Sequence, residues 1–68
     1  MSKNFYLSNL KRLREQKGWT QEKLAQQSGV SYHTLIKIER GTIQDPRIET
    51  VANIARALGL SLDELVNF

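Results

Sequence analysis

Between Thr20 and Gly41 the chain reads TQEKLAQQSGVSYHTLIKIERG, and this stretch constrains the fold more than any other. Thr20 can cap a helix start, and Gly29 follows a helix-like run. Ser31 can cap a second start, and Gly41 closes that one. Ser and Thr accept from the free N–H groups of a first helical turn. Glycine takes the left-handed conformation that ends a helix with no Cβ penalty. Two short helices joined by a tight turn at Gly29 is therefore the expectation. Small Ala25 sits on the side where the two helices would approach, and Leu24, Val30, Leu35 and Ile38 would point into one shared core. A larger side chain at Ala25 would push the helices apart at a cost of about 1–3 kcal/mol.

The same punctuation recurs along the chain. Gly18 and Gly59 end further helix-like runs, and Ser61-Leu62-Asp63-Glu64 is a capping box with Leu60 and Leu65 placed as its staple. Asp45-Pro46 reads as a cap followed by proline at the first helical position. Five helices follow, over roughly 5–17, 20–27, 31–39, 46–58 and 61–66. Leu7, Leu10 and Leu13 line one face of the first. Ile48, Val51, Ala55 and Leu58 repeat at helical spacing in the fourth. No alternating β-pattern competes, so the expected fold class is all-α, a five-helix bundle. At 68 residues the expectation is a single domain spanning 1–68, with the paired helices at about 20–41.

Charge and composition narrow the function. The net charge is +3 and is unevenly spread. Residues 1–20 carry Lys3, Lys11, Arg12, Arg14 and Lys17 against Glu15, whereas residues 41–68 carry Arg47 and Arg56 against Asp45, Glu49, Asp63 and Glu64. One half suits a polyanion, the other solvent or a partner. There is no cysteine and one histidine, and no glycine-rich phosphate loop or metal-ligand spacing is present. No enzyme, metal or cofactor is expected. Adjacent Asp63 and Glu64 at a helix start are explained by capping and the helix dipole. With neither a signal-peptide pattern nor an apolar run of roughly 20 residues, the expected address is the cytoplasm.

A bracing helix followed, across a sharp turn, by a helix with a polar cationic outer face is the layout of a helix-turn-helix, whose second helix enters the DNA major groove. The residues Gln21-Glu22-x-Leu24-Ala25-x-x-Ser28-Gly29-Val30-Ser31 and Ile38-Glu39-Arg40-Gly41 resemble the Cro/C1-type (Xre-type) helix-turn-helix family. The likeness extends to Leu10-Lys11-x-Leu13-Arg14, Gly18-Trp19-Thr20, Pro46-x-Ile48-Glu49-Thr50 and Ala57-Leu58-Gly59-Leu60-Ser61-Leu62-Asp63-Glu64-Leu65. It implies a five-helix bundle, usually a homodimer, that binds double-stranded operator DNA and regulates transcription as a repressor or autoregulator. Ser28 departs from the family pattern, which often has a larger apolar residue there, and implies a slightly looser core.

Site residues follow from geometry and from the resemblance together. With Leu35 and Ile38 inward, Tyr32, His33, Ile36 and Lys37 project outward, and they match the family's base-contacting positions. Lys37 can donate to guanine O6 and N7 or meet a phosphate. Tyr32 and Ile36 can lie on a thymine methyl or pack within the protein. His33 can donate to a base or a phosphate; a histidine changes charge near neutral pH, so binding through it would depend on pH. Gln21 corresponds to a family glutamine that bonds a phosphate or buttresses the second helix. Ser31, Thr34, Arg40, Thr42, Gln44 and Arg47 are backbone-contact candidates, Arg47 lying over the minor groove if it follows its family counterpart. Arg14 could meet phosphate, but the resemblance favours a structural pair with Glu39. Trp19 is expected as a core plug rather than an intercalator. Leu60, Leu62, Val66 and Phe68 form a candidate dimer seam or partner surface, or simply core. The alternative functions are an antitoxin or other protein-binding module of the same fold, or a restriction–modification controller.

Overall fold

The chain is described by a computed structural model covering residues 7, 9–43 and 45–66, with the side chain of Val66 excepted. Its described residues form five helices and no strand: α1 (Leu10–Gln16), α2 (Gln21–Ser28), α3 (Tyr32–Arg40), α4 (Ile48–Leu58) and α5 (Leu62–Val66). α2 packs against both α3 and α4, and α5 closes over α4. The all-α, five-helix expectation therefore holds. Leu10, Leu24, Leu35, Ile54 and Leu65 are fully buried and come from each helix in turn. Each such side chain stabilises the fold by about 1.5–3 kcal/mol relative to exposure.

The local signals act as read for the middle helices. Thr20 Oγ1 accepts from the Lys23 N–H at 3.0 Å, and Ser31 Oγ accepts from the Thr34 N–H at 3.1 Å. Gly29 takes φ 75° and its N–H reaches the Ala25 carbonyl at 2.9 Å. An L-side chain at that φ is strained, so glycine is what allows the N-cap of α3, Ser31, to follow two residues later. The capping box at α5 forms in both directions: the Ser61 N–H donates to Glu64 Oε1, and the Glu64 N–H to Ser61 Oγ. Ser28 is buried, and its hydroxyl accepts from the Val30 N–H at 3.2 Å while donating to the Ala25 carbonyl at 3.4 Å. The hydroxyl thus ties α2 to the turn where a larger apolar residue would only fill space.

Three expectations need correcting. The first helix begins at Leu10, not near residue 5; Leu7 is buried but sits ahead of the helix, and residues 5 and 6 lie outside the described set. Spacing of three fits a tighter 3₁₀ turn as well as an α-helix, so the leucine pattern overran the α-helical start. The fourth helix begins at Ile48, and its N-cap is Arg47 (φ −62°, ψ 148°), not Asp45. Pro46 instead lines a hollow with Thr34, Ile43 and Thr50, lying beside α3 rather than opening α4. Finally, Ile48 is 68% exposed, while Ile54 is fully buried with Val51, Ala55 and Leu58. The apolar period continues one turn beyond the end of the core.

Candidate nucleic-acid interface

α3 is held through a carboxylate of its own, Glu39. Arg14, on α1, is only 7% exposed. Its Nε donates to Glu39 Oε2 at 2.7 Å and its Nη2 to Glu39 Oε1 at 3.1 Å, while Nη1 reaches the Trp19 carbonyl at 2.8 Å. Gln21 Nε2, at the start of α2, donates to Glu39 Oε1 at 3.0 Å. Glu39 thereby joins α1, α2 and α3 through side chains far apart in sequence. The planar guanidinium fork suits this two-bond geometry. The hydrogen bond to Glu39 raises the Arg14 pKa above its ordinary value; burial opposes that, and the attraction of Glu39 and Glu15 adds to it. The expected Arg14–Glu39 pair is present, and Arg14 is committed to it rather than to the surface.

The outer side of α3 is open. Successive residues turn by about 100°, which places Tyr32, Ile36, Arg40, His33 and Lys37 in that angular order within about 140°. Leu35 and Ile38 occupy the opposite side and are buried. His33, Lys37 and Arg40 are exposed, Tyr32 is 39% exposed and Ile36 is half-buried. The arc has no acidic residue, and Glu39 beside it is paired with Arg14. Lys37 and Arg40 lie in the last turn of α3, where cations also complement the helix dipole. The four residues read as base-facing are thus together on one side, with Ile36 the most withdrawn.

The backbone candidates divide. Ser31 is exposed at the N-cap of α3, and its hydroxyl also donates to Thr34 Oγ1 at 2.8 Å. Thr34 is half-buried and lines, with Ile43, Asp45, Pro46, Arg47 and Thr50, an open hollow of about 340 Å³ beside α3. Arg40, Thr42 and Arg47 are exposed; Gln44 lies outside the described residues. Gln21 is half-buried and buttresses Glu39, although its amide carries a second N–H. Trp19 is half-buried and packs against the core, as expected of a plug. Unforeseen were Lys17 and Lys23, whose ammonium groups sit 4.9 and 5.9 Å from its ring centroid. The Trp19/Lys23 spacing of four was the available signal, hidden because Trp19 precedes the helix. In the candidate seam Leu60 packs partly against the core and Leu62 is exposed, while the side chain of Val66 and all of Phe68 lie outside the described residues.

Comparison with known proteins matches residues 10–65 to a family described as Helix-turn-helix. An uncharacterized HTH-type transcriptional regulator, y4dJ, from Sinorhizobium fredii is 46% identical over 59 residues, covering 87% of this chain and 75% of that protein. The cryptic phage CTXphi transcriptional repressor RstR from Vibrio cholerae is 36% identical over 62 residues, covering 91% of this chain but 55% of the repressor. The chain thus spans only about half of that relative's length. Among solved structures, the master regulator for biofilm formation SinR in complex with DNA superposes with a TM-score of 0.86 at 27% identity, over 93% of this chain and all of that one. No described helix is long and apolar enough to cross a membrane.

Proposed function

The chain belongs to the Cro/C1-type helix-turn-helix family, and from that premise we propose that it is a sequence-specific double-stranded DNA-binding transcriptional regulator, most simply a repressor acting in the cytoplasm. α3 would enter the major groove, whose width of about 12 Å admits a helix. The observation that carries this reading is the open, acid-free arc of Tyr32, Ile36, Arg40, His33 and Lys37 beside a Glu39 paired with Arg14. A buried pair holds the helix while its outer side chains stay available. That a structural neighbour of the same fold is in complex with DNA supports DNA as the partner.

Within this reading Tyr32, His33, Ile36 and Lys37 face base edges. Ser31, Thr34, Arg40, Thr42 and Arg47 meet phosphates, and Gln21 can use its second N–H in the same way while holding Glu39. Phosphate contacts set position and salt-dependent affinity; base contacts set sequence choice. Residues 1–68 act as one DNA-binding unit. A second copy docks through the surface that includes Leu62, so two half-sites lie about 34–36 Å apart, one helical turn.

Selection of bound oligonucleotides at fixed salt, followed by titration, tests the proposal. Lys37→Ala should weaken binding by about 1–3 kcal/mol and relax preference at one base pair. A wild-type chain that binds its selected duplex no better than a random one would exclude this function and leave the protein-binding alternative standing.

A further inference from the structure

The rings of Tyr32 and His33 lie with centroids 5.9 Å apart and planes at 62°, edge to face. Neighbouring residues on a helix project about 100° apart and do not ordinarily face each other. Here both side chains lean together over the first turn of α3. The separation falls within the range in which aromatic pairs attract beyond simple burial. Tyr32 is 39% exposed and His33 is exposed beside it. The backbone beneath them is fixed by Ser31, which accepts from the Thr34 N–H and donates to the Thr34 hydroxyl.

We propose that Tyr32 is a positioning residue for His33, its ring holding the imidazole in one orientation before DNA arrives, so that base preference under His33 depends on the presence of the Tyr32 ring. The inference rests on α3 being the DNA-reading helix. The reason is preorganisation. A base-edge hydrogen bond is directional, and an exposed imidazole on a free χ1 must be ordered when the complex forms. A ring already packed against a half-covered tyrosine has lost that freedom in the unbound protein. The consequence is coupling: the two residues read DNA as a unit, and their substitutions do not combine independently.

The test uses the 68-residue chain and four variants: Tyr32→Phe, Tyr32→Ala, His33→Ala and the Tyr32→Ala/His33→Ala double. Binding-site selection at fixed salt identifies the base pair whose preference disappears in His33→Ala. Tyr32→Ala is expected to flatten preference at that same base pair, and Tyr32→Phe to retain it because the ring remains. The double variant should bind about twofold to tenfold better than the product of the single losses predicts, the range expected for one aromatic pair. In the free protein the ring-current shift on the His33 ring protons should persist in Tyr32→Phe and vanish in Tyr32→Ala, which tests the pairing without DNA. If the wild-type chain binds selectively while Tyr32→Ala keeps full preference under His33, or the losses simply multiply, the coupling is overturned and the DNA-reading role survives. If His33→Ala alters no base preference, the coupling is likewise overturned. If the wild-type chain has no preferred sequence, the premise falls and the coupling with it, even where the ring-current shift is present.

Discussion

The two connections flanking α3 both leave a helix through a left-handed glycine but differ in how they start the helix that follows. The turn from α2 to α3 is closed from every side: Gly29 supplies the left-handed residue, Ser28 and Ser31 hydroxyls take up N–H groups of the turn and first helical turn, and Val30 packs against the core. The connection from α3 to α4 runs through exposed Thr42, Asp45 and Arg47 around an open hollow. It delivers a helix whose N-cap is an arginine with no side-chain cap bond. An arginine there neither accepts from the first-turn N–H groups nor suits the positive end of the helix dipole. The first connection fixes how α3 sits; the second forgoes local stability at a place where, under the proposed function, a cation is wanted for phosphate. Proteins break local rules mostly at functional sites.

The comparison breaks first at Glu39. Glu39→Ala leaves the nearly buried Arg14 guanidinium and the Gln21 amide without their acceptor. A loss of about 3–5 kcal/mol is expected, a large part of what a domain this small has. Urea unfolding monitored by circular dichroism measures it; a loss under about 1 kcal/mol would mean the pair is merely a surface contact. The sign of the pH effect also follows. A base whose pKa is raised on folding keeps its contribution below the unfolded value and loses it only as pH rises through the folded one. For Arg14 that window lies above the range of lysine titration, so alkaline melts up to that range should leave the difference between wild type and Glu39→Ala unchanged on its account.

Gly29→Ala is the next largest. A Cβ at Gly29 meets nothing within 4 Å, so the penalty is the left-handed backbone alone. About 1–2 kcal/mol is expected, read as a lowered midpoint with an unchanged denaturant slope. A changed slope would indicate that the turn had been rebuilt, not strained.

What the sequence made legible follows the range of each interaction. Thr20, Ser31, Gly29 and the Ser61–Glu64 box act on residues three or four positions away, so their chemistry can be read from spacing. The Arg14–Glu39 pair spans 25 positions; only the family resemblance located it. Ile48 misled because helical periodicity says which side faces inward, not where the core ends. Asp45-Pro46 misled because it imitates a cap, while Arg47 takes the extended conformation and the capping position instead. The outward set on α3 was readable from Leu35 and Ile38 facing inward. The Tyr32–His33 pairing was not, since adjacent helical residues normally diverge, and neither was the hollow beside Thr34, which three separated segments create.

Arg47→Ser sharpens the contrast most finely because its two effects should have opposite signs. Serine supplies the missing acceptor at the N-cap of α4 and removes a cation from the positive end of that helix. A gain of about 0.5–1 kcal/mol in stability is expected, a modest rise in melting temperature. If Arg47 meets a phosphate, the same substitution weakens binding to all duplexes alike and lowers the slope of log affinity against log salt by about 0.9. Thermal melts and a salt titration on one preparation read both. Stability gained with the salt slope unchanged would make Arg47 only a poor cap, and the α3–α4 connection would lose its claim to the DNA backbone. Stability unchanged with the slope reduced would mean that α4 obtains its cap elsewhere, and the trade between the two connections would disappear.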